Sequence, residues 1–188
     1  FPPLTYQWYK DEIIVPGATG STYTSGAATL TSAGMYRCVA TDALGTNVES
    51  IAASLDVASS LTIITQPQGA SLYPGEAHTL NVTMTGGFAP LTYKWMQDWE
   101  TIAGATAPSL ILDPVTFEMA GEYRCLITDD LGTNQLSQPA EIHVVEVTLI
   151  GEQPEGDRIY VGGSHTFSVG AVYGIAPLSY RWKKDGVD

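Results

Sequence analysis

The chain has 188 residues, enough for one large domain or two ordinary ones, and at 44% hydrophobic and 15% charged it can fill a core and is not a disordered tail. Its net charge of −12, from 20 acidic against 8 basic residues, makes nucleic acid a poor partner, since that binding neutralises phosphates with Lys and Arg. No apolar run is long enough to span a bilayer and no basic segment leads into an apolar one, so any signal peptide lies outside these residues.

In chain order, the opening FPPLTYQWYK reads as the middle of a domain; within it, PLTYQW begins at Pro3 and ends at Trp8. GMYRCVATDA follows at 34–43 and a turn-forming LGTN at 44–47. Further on, Leu80, Val82 and Met84 alternate with Asn81, Thr83 and Thr85, the period of a half-buried strand. The same period places Leu91, Tyr93 and Trp95 on one face and Thr92, Lys94 and Met96 on the other. It returns in Tyr123, Cys125 and Ile127, with Arg124 and Thr128 facing outward. The glycine pair at 86–87 and LGTN at 131–134 separate these strands, and no stretch has helical periodicity. The fold class is all-β, and short strands punctuated by turns over about 90 residues predict a β-sandwich.

Much of this is one pattern repeated. PLTYQW at Pro3, PLTYKW at Pro90 and PLSYRW at Pro177 lie 87 residues apart both times. The same offset relates Tyr36 to Tyr123, Cys38 to Cys125, His78 to His165 and the two LGTN turns, with no insertion or deletion. Residues 61–147 are therefore expected to form one complete unit. Residues 1–60 are then the later part of a preceding unit, and residues 148–188 the opening part of a following one.

The tryptophans Trp8, Trp95 and Trp182, with Gly34-Met35-Tyr36-Arg37-Cys38 and Gly121-Glu122-Tyr123-Arg124-Cys125, resemble the immunoglobulin-like superfamily, nearest to its I-set type. The resemblance covers the whole chain in repeat phase. It implies that tryptophan lies on strand C, that GxYxC begins strand F, and that the tyrosine hydroxyl ties back to nearby backbone. It also implies a second cysteine on strand B, about a dozen residues before the tryptophan. This sequence has Val82 and Val169 there, so tandem sandwiches without the B–F disulfide are expected. Cys38 and Cys125 sit on inward faces of different units, beyond the reach of one disulfide, and are expected to be buried, inert thiols packed against valine and tryptophan. PLTYxWxxD followed by a GAT turn resembles Ig-like repeats of very large bacterial surface and secreted proteins more than animal muscle or adhesion domains. That resemblance implies an extracellular or cell-surface location.

Other residues invite function and are weighed against packing. Trp99 is the one tryptophan outside the strand C position; its equivalents are Glu12 and Gly186, so the repeat does not require it. On an exposed turn it can anchor a glycan or protein, or lie on its own domain. Leu126 and Val39 fall on the outer face of strand F, where polar residues are usual, and are candidate lateral contacts. His78 and His165 lack further ligands at metal spacing and read as packing residues, while His143 faces outward. Asn81-Val82-Thr83 is a glycosylation sequon on an outward strand face. Asp129-Asp130 is the nearest approach to a calcium cluster, but the upstream copy has Asp42-Ala43. No catalytic triad, phosphate loop or repeated carboxylate pair occurs, so no enzyme activity, cofactor or metal is expected.

The leading expectation is a structural repeat segment of a long extracellular fibre, stalk or surface protein, giving reach and stiffness. Its partners are neighbouring repeats of the same or identical chains. A linker of about three residues between strand G and the next strand A, with sandwiches roughly 35–40 Å long from strands of about 10–11 residues, would make a stiff rod. The alternatives are an adhesin using the loops around Trp99, and a spacer carrying an enzyme elsewhere in the chain. A further alternative is that the closing segment of one chain completes the opening segment of another.

Overall fold

The computed structural model describes residues 4–187; Pro3, the first residue of the opening PLTYQW, and Asp188 lie outside them. The chain divides into two compact units, one ending at Ser60 and the other beginning at Leu61.

The second unit contains a complete two-layer β-sandwich. One layer has β10 (Thr92–Gln97) and β13 (Gly121–Thr128) at its centre, paired antiparallel with Trp95 opposite Cys125. β11 (Glu100–Thr101) extends it beyond β10, and β14 (Asn134–Leu136) and β15 (Ala140–Val144) pair with β13. The short β7 (Ala70–Leu72) closes that edge parallel to β15. The other layer consists of β8 (His78–Asn81) against β12 (Ser109–Leu112), and β9 (Thr83–Thr85) against β6 (Thr62–Thr65). β8 and β9 are one run interrupted at Val82, whose N–H turns to Pro108 O at 3.0 Å.

Period-two alternation puts Leu80, Val82, Trp95, Tyr123, Cys125 and Ile127 into one buried cluster between the layers, with Leu112, Val115, Ala140 and Ile142. Burying such side chains supplies most of the driving force for folding, roughly 1.5–3 kcal/mol for each large one. Met96, expected to face outward, is also buried; it lies opposite Arg124 and Thr101 at the β10–β11 hairpin. The longest strands run eight residues, shorter than the ten or eleven anticipated.

The first unit repeats the later part of this pattern. β1 (Thr5–Lys10) pairs with β2 (Ile13–Ile14) and β3 (Gly34–Thr41), and β3 pairs with β4 (Asn47–Glu49) and β5 (Ala53–Leu55). After Val144 the second unit continues into β16 (Leu149–Glu152), antiparallel to β17 (Gly170–Val172), the repeat equivalents of β6 and β9.

Two matching segments differ from the expectation. Residues 22–25, equivalent to β12, form no strand; no strand among the described residues pairs with them. Residues 177–183, read as part of a third strand C, form none either, although the nearly identical PLTYKW becomes β10 where β13 pairs with it. Pairing, rather than local propensity, decides both. The sequence also hid two short 3-10 turns at equivalent positions, Leu30–Ser32 and Phe117–Met119.

Candidate functional site

The signature residues of the two described GxYxC strands make the same bonds in both units. Trp8 Nε1 donates to Gly20 O and Trp95 Nε1 to Ala107 O, each at 3.0 Å. The Tyr36 hydroxyl donates to Ser32 O at 2.8 Å and the Tyr123 hydroxyl to Met119 O at 2.9 Å. Both acceptors end a 3-10 turn, which is why that turn precedes GxYxC. The glycine of GxYxC is also explained: Gly121 has φ +145°, and a Cβ there would stand 2.5 Å from Asp98 Oδ2. That carboxylate accepts the Glu122 N–H at 2.9 Å, as Asp11 accepts the Met35 N–H.

Sequence reasoning missed Ser50 and Ser137, each accepting the N–H of the strand F cysteine on its hydroxyl at 2.9 Å. Their 87-residue spacing was the available signal.

Cys125 is fully buried among Val82 and Trp95, and burial pushes its thiol up to about 11, partly offset by a backbone hydrogen bond from Lys94. Cys38, expected to be buried too, is half-buried, since the described strands of the first unit form a single sheet with no second layer among them. Trp8, Tyr36 and Val169, expected in the core, are half-buried, and Trp182 is exposed. Both cysteines are free. At neutral pH a maleimide is expected to label Cys38 much faster than Cys125, whose thiol is fully buried and held protonated by that burial. The raised Cys125 pKa also sets a pH dependence. The unfolded chain loses this proton first, so stability falls as pH rises from about 9 to 11. The stability gap between wild type and Cys125→Ala should therefore shrink across that window; Tyr123, also raised by burial, acts alike in both proteins.

Trp99 lies in the β10–β11 turn and is 63% exposed. Asp98 and Trp99 have φ of 49° and 69°, as Asp11 and Glu12 have 48° and 66°. Such a two-residue turn suits Asp-Gly, the pair found at Asp185-Gly186. The indole accepts the Arg124 guanidinium over its face at 4.6 Å. In the first unit Glu12 meets the equivalent Arg37 at 2.6 Å, so this position covers the strand F arginine in both. Trp99→Gly relieves the left-handed strain while Trp99→Ala does not, and both lose the ring contact. Chemical denaturation should find the glycine variant about 1 kcal/mol more stable than the alanine variant.

Leu126 is half-buried on the outer face, opposite Lys94 and Leu136. Val39, its equivalent, is opposite Gln7 and Glu49, so an apolar pair here belongs to one unit alone. His78 and His165 each place Nε2 2.9 Å from a backbone carbonyl, of Gln68 and Glu155 respectively. Asn81 and Thr83 are exposed on either side of buried Val82, and His143 is exposed. Asp129 is buried, and its carboxylate is occupied by the N–H groups of Phe88, Leu131 and Thr133 at 3.2, 3.1 and 2.8 Å. Among the described residues no group of three or more His, Cys, Asp or Glu is placed to hold a metal ion.

The two-layer topology, with the tryptophan of one central strand facing the cysteine of the next, is also that of solved domains. An I-band fragment from titin superposes with a TM-score of 0.58 over 82% of this chain and 59% of that one, at 18% identity. The chain has the immunoglobulin-like fold. No family model matches it. Protein sidekick-2 of Gallus gallus is 26% identical across 98% of the chain, and endoglucanase C of Cellulomonas fimi 35% identical across 76%. The immunoglobulin-like chain spans 9% of the first relative and 14% of the second. Similar sequence thus occurs in an animal and in a bacterial protein. The animal relatives are extracellular or cell-surface proteins, and this is an extracellular immunoglobulin-like repeat segment. Among the described residues no helix is long and apolar enough to cross a membrane.

Proposed function

We propose that the chain is a structural repeat segment of a long extracellular fibre, stalk or surface protein, with units at 1–60, 61–147 and 148–188 supplying reach and stiffness. The observation that carries this reading is the junction inside the second unit. Strand β15 ends at Val144 and β16 begins at Leu149. Val145 N–H bonds to Leu72 O at 3.0 Å, and Glu146 O accepts the Gly174 N–H at 3.0 Å. The Tyr73 hydroxyl accepts the Ile175 N–H at 3.3 Å, tying the loop of the following repeat to the sandwich before it. A short connection bonded on both sides restricts bending.

Tyr73→Phe tests this without disturbing the core. NMR relaxation or small-angle scattering should detect a more mobile 148–188 segment in the variant. Equal mobility in both proteins, or an already mobile segment in the wild type, would remove the support for stiffness.

Similarity to endoglucanase C is compatible with the same mechanical role beside a catalytic domain elsewhere in a longer chain. A second reading, a module that binds a glycan or protein through the loops around Trp99, is favoured by that exposed ring on a turn where other copies carry Glu or Gly. Its test is binding by folded wild type and Trp99→Gly; unchanged binding, or none by either, rejects it.

A further inference from the structure

The two layers of the complete sandwich differ in charge. β6, β8, β9 and β12 contain no Asp, Glu, Lys or Arg, whereas β10, β11, β13 and β15 carry Lys94, Glu100, Glu122, Arg124 and Glu141. Alternation sends Leu80, Val82 and Leu112 of the uncharged layer into the core, but its outward positions are uncharged too. Thr79, Asn81, Thr83 and Thr85 stand exposed along the β8–β9 run, flanked by Ile111 of β12 and Ile64 of β6. These isoleucines are 67% and 65% exposed on a face otherwise made of hydroxyls and an amide. The register shift between Ile63 and Thr65 leaves Ile64 and Thr65 both exposed, and the Thr65 and Thr83 hydroxyls meet at 2.6 Å. The pattern recurs in sequence. Residues 165–168, 170–172 and 22–25, the copies of β8, β9 and β12, hold no Asp, Glu, Lys or Arg; Glu152, in the copy of β6, is the exception.

We propose that this uncharged face is a lateral contact between two copies of the chain, sheet packed on sheet. Charge names the occupant. At −12 the chain repels its own copies wherever two surfaces both carry carboxylates. Of the two layers, this one lets two copies meet without burying an unpaired charge. The same face on a second copy supplies what it needs: threonine and asparagine groups that donate and accept, and isoleucines that fill the space between sheets about 10 Å apart. Face against face is self-complementary, so a two-fold axis closes the pair. The face, three strands wide and as long as residues 78–85, measures roughly 15 by 25 Å. That is less than a standard interface, which buries about 1,200–2,000 Å² in all. One unit therefore holds its partner weakly, and successive repeats of a longer chain add their contacts by avidity.

Sedimentation equilibrium of the 188-residue chain, made without glycosylation at Asn81, tests this contact. The mass should rise with concentration, and more steeply at high salt, which screens the charge of −12. Thr83→Lys and Ile111→Lys each put a charge on the face from a different exposed position. Each should weaken association at least about tenfold, although each also lowers the net negative charge. Thr92→Lys makes the same change of charge at an exposed position of the other layer and should leave association at least as strong as in the wild type. Thermal unfolding of each variant checks that it is folded. A wild type that stays monomeric into the millimolar range at high salt overturns the proposal. So does association that survives both face variants, or that falls equally with Thr92→Lys. Tyr73→Phe alters the junction and leaves this face untouched, so the mechanical reading and the lateral contact fail separately.

Discussion

Val82→Cys is expected to form a disulfide with Cys125 under oxidising conditions and to stabilise the complete sandwich by about 4 kcal/mol, the chain-entropy value for closing the 82–125 loop. Both side chains are buried in one cluster between the layers, on facing strands of opposite sheets. The substitution exchanges one small apolar side chain for another, so little packing is lost. Thermal unfolding with and without reductant measures the effect, and for a domain of this size the midpoint should move by on the order of 20 °C. A variant that melts alike in both conditions would mean that the strands do not bring the two Cβ atoms within bonding geometry. The prediction also sets a scale for what the natural sequence forgoes by carrying valine on this strand.

The second large effect is a loss. Asp129→Ala removes a carboxylate that accepts three backbone N–H groups, joining the Phe88 loop to the Leu131–Thr133 turn. Asp130 N–H returns a bond to Phe88 O at 2.9 Å, so this carboxylate anchors a two-way clasp. Charge-assisted bonds at a buried site are strong, and the substitution takes their acceptor from three backbone donors at once. The cost is expected to be about 3 kcal/mol in denaturant unfolding, against about 1 kcal/mol for Asp129→Asn, which keeps an acceptor. In the first unit Asp42 accepts the Leu44 and Thr46 N–H groups at 2.9 and 2.8 Å but is less buried, so Asp42→Ala should cost less. Equal losses for alanine and asparagine at 129 would assign the effect to shape instead of hydrogen bonding.

The core was legible because alternation reports burial directly: Leu80 and Val82, or Tyr123, Cys125 and Ile127, can share one face only if the backbone is extended. The repeat was legible because its offset never changes. Bonds between a side chain and distant backbone were not. Nothing near Ser137 announces that its hydroxyl will meet Cys125 twelve positions earlier, and only the recurrence at Ser50 hints at it. Asp129 looked like half of a cation site because its neighbour is also acidic; the turn that consumes its oxygens is a matter of three-dimensional closure. Trp99 was seen as exposed, but not as a bulky residue held at positive φ over Arg124, since neither fact has a one-dimensional signature.

The pairing of Trp95 opposite Cys125 has a temporal side. During synthesis the PLTYKW stretch leaves the ribosome about thirty residues before its partner strand, which at roughly 5–20 residues per second is an interval on the order of seconds. Throughout that interval its tryptophan and tyrosine are uncovered, while PLTYQW of the previous repeat, nearly the same in sequence, is being consolidated close by. An array of this kind is therefore exposed at every round to capture of a strand by the wrong neighbour. The differing core residues of the three copies, such as Leu80 beside Phe167 and Ile127 beside Ala40, would act as proofreading marks that make a mismatched pairing the poorer fit.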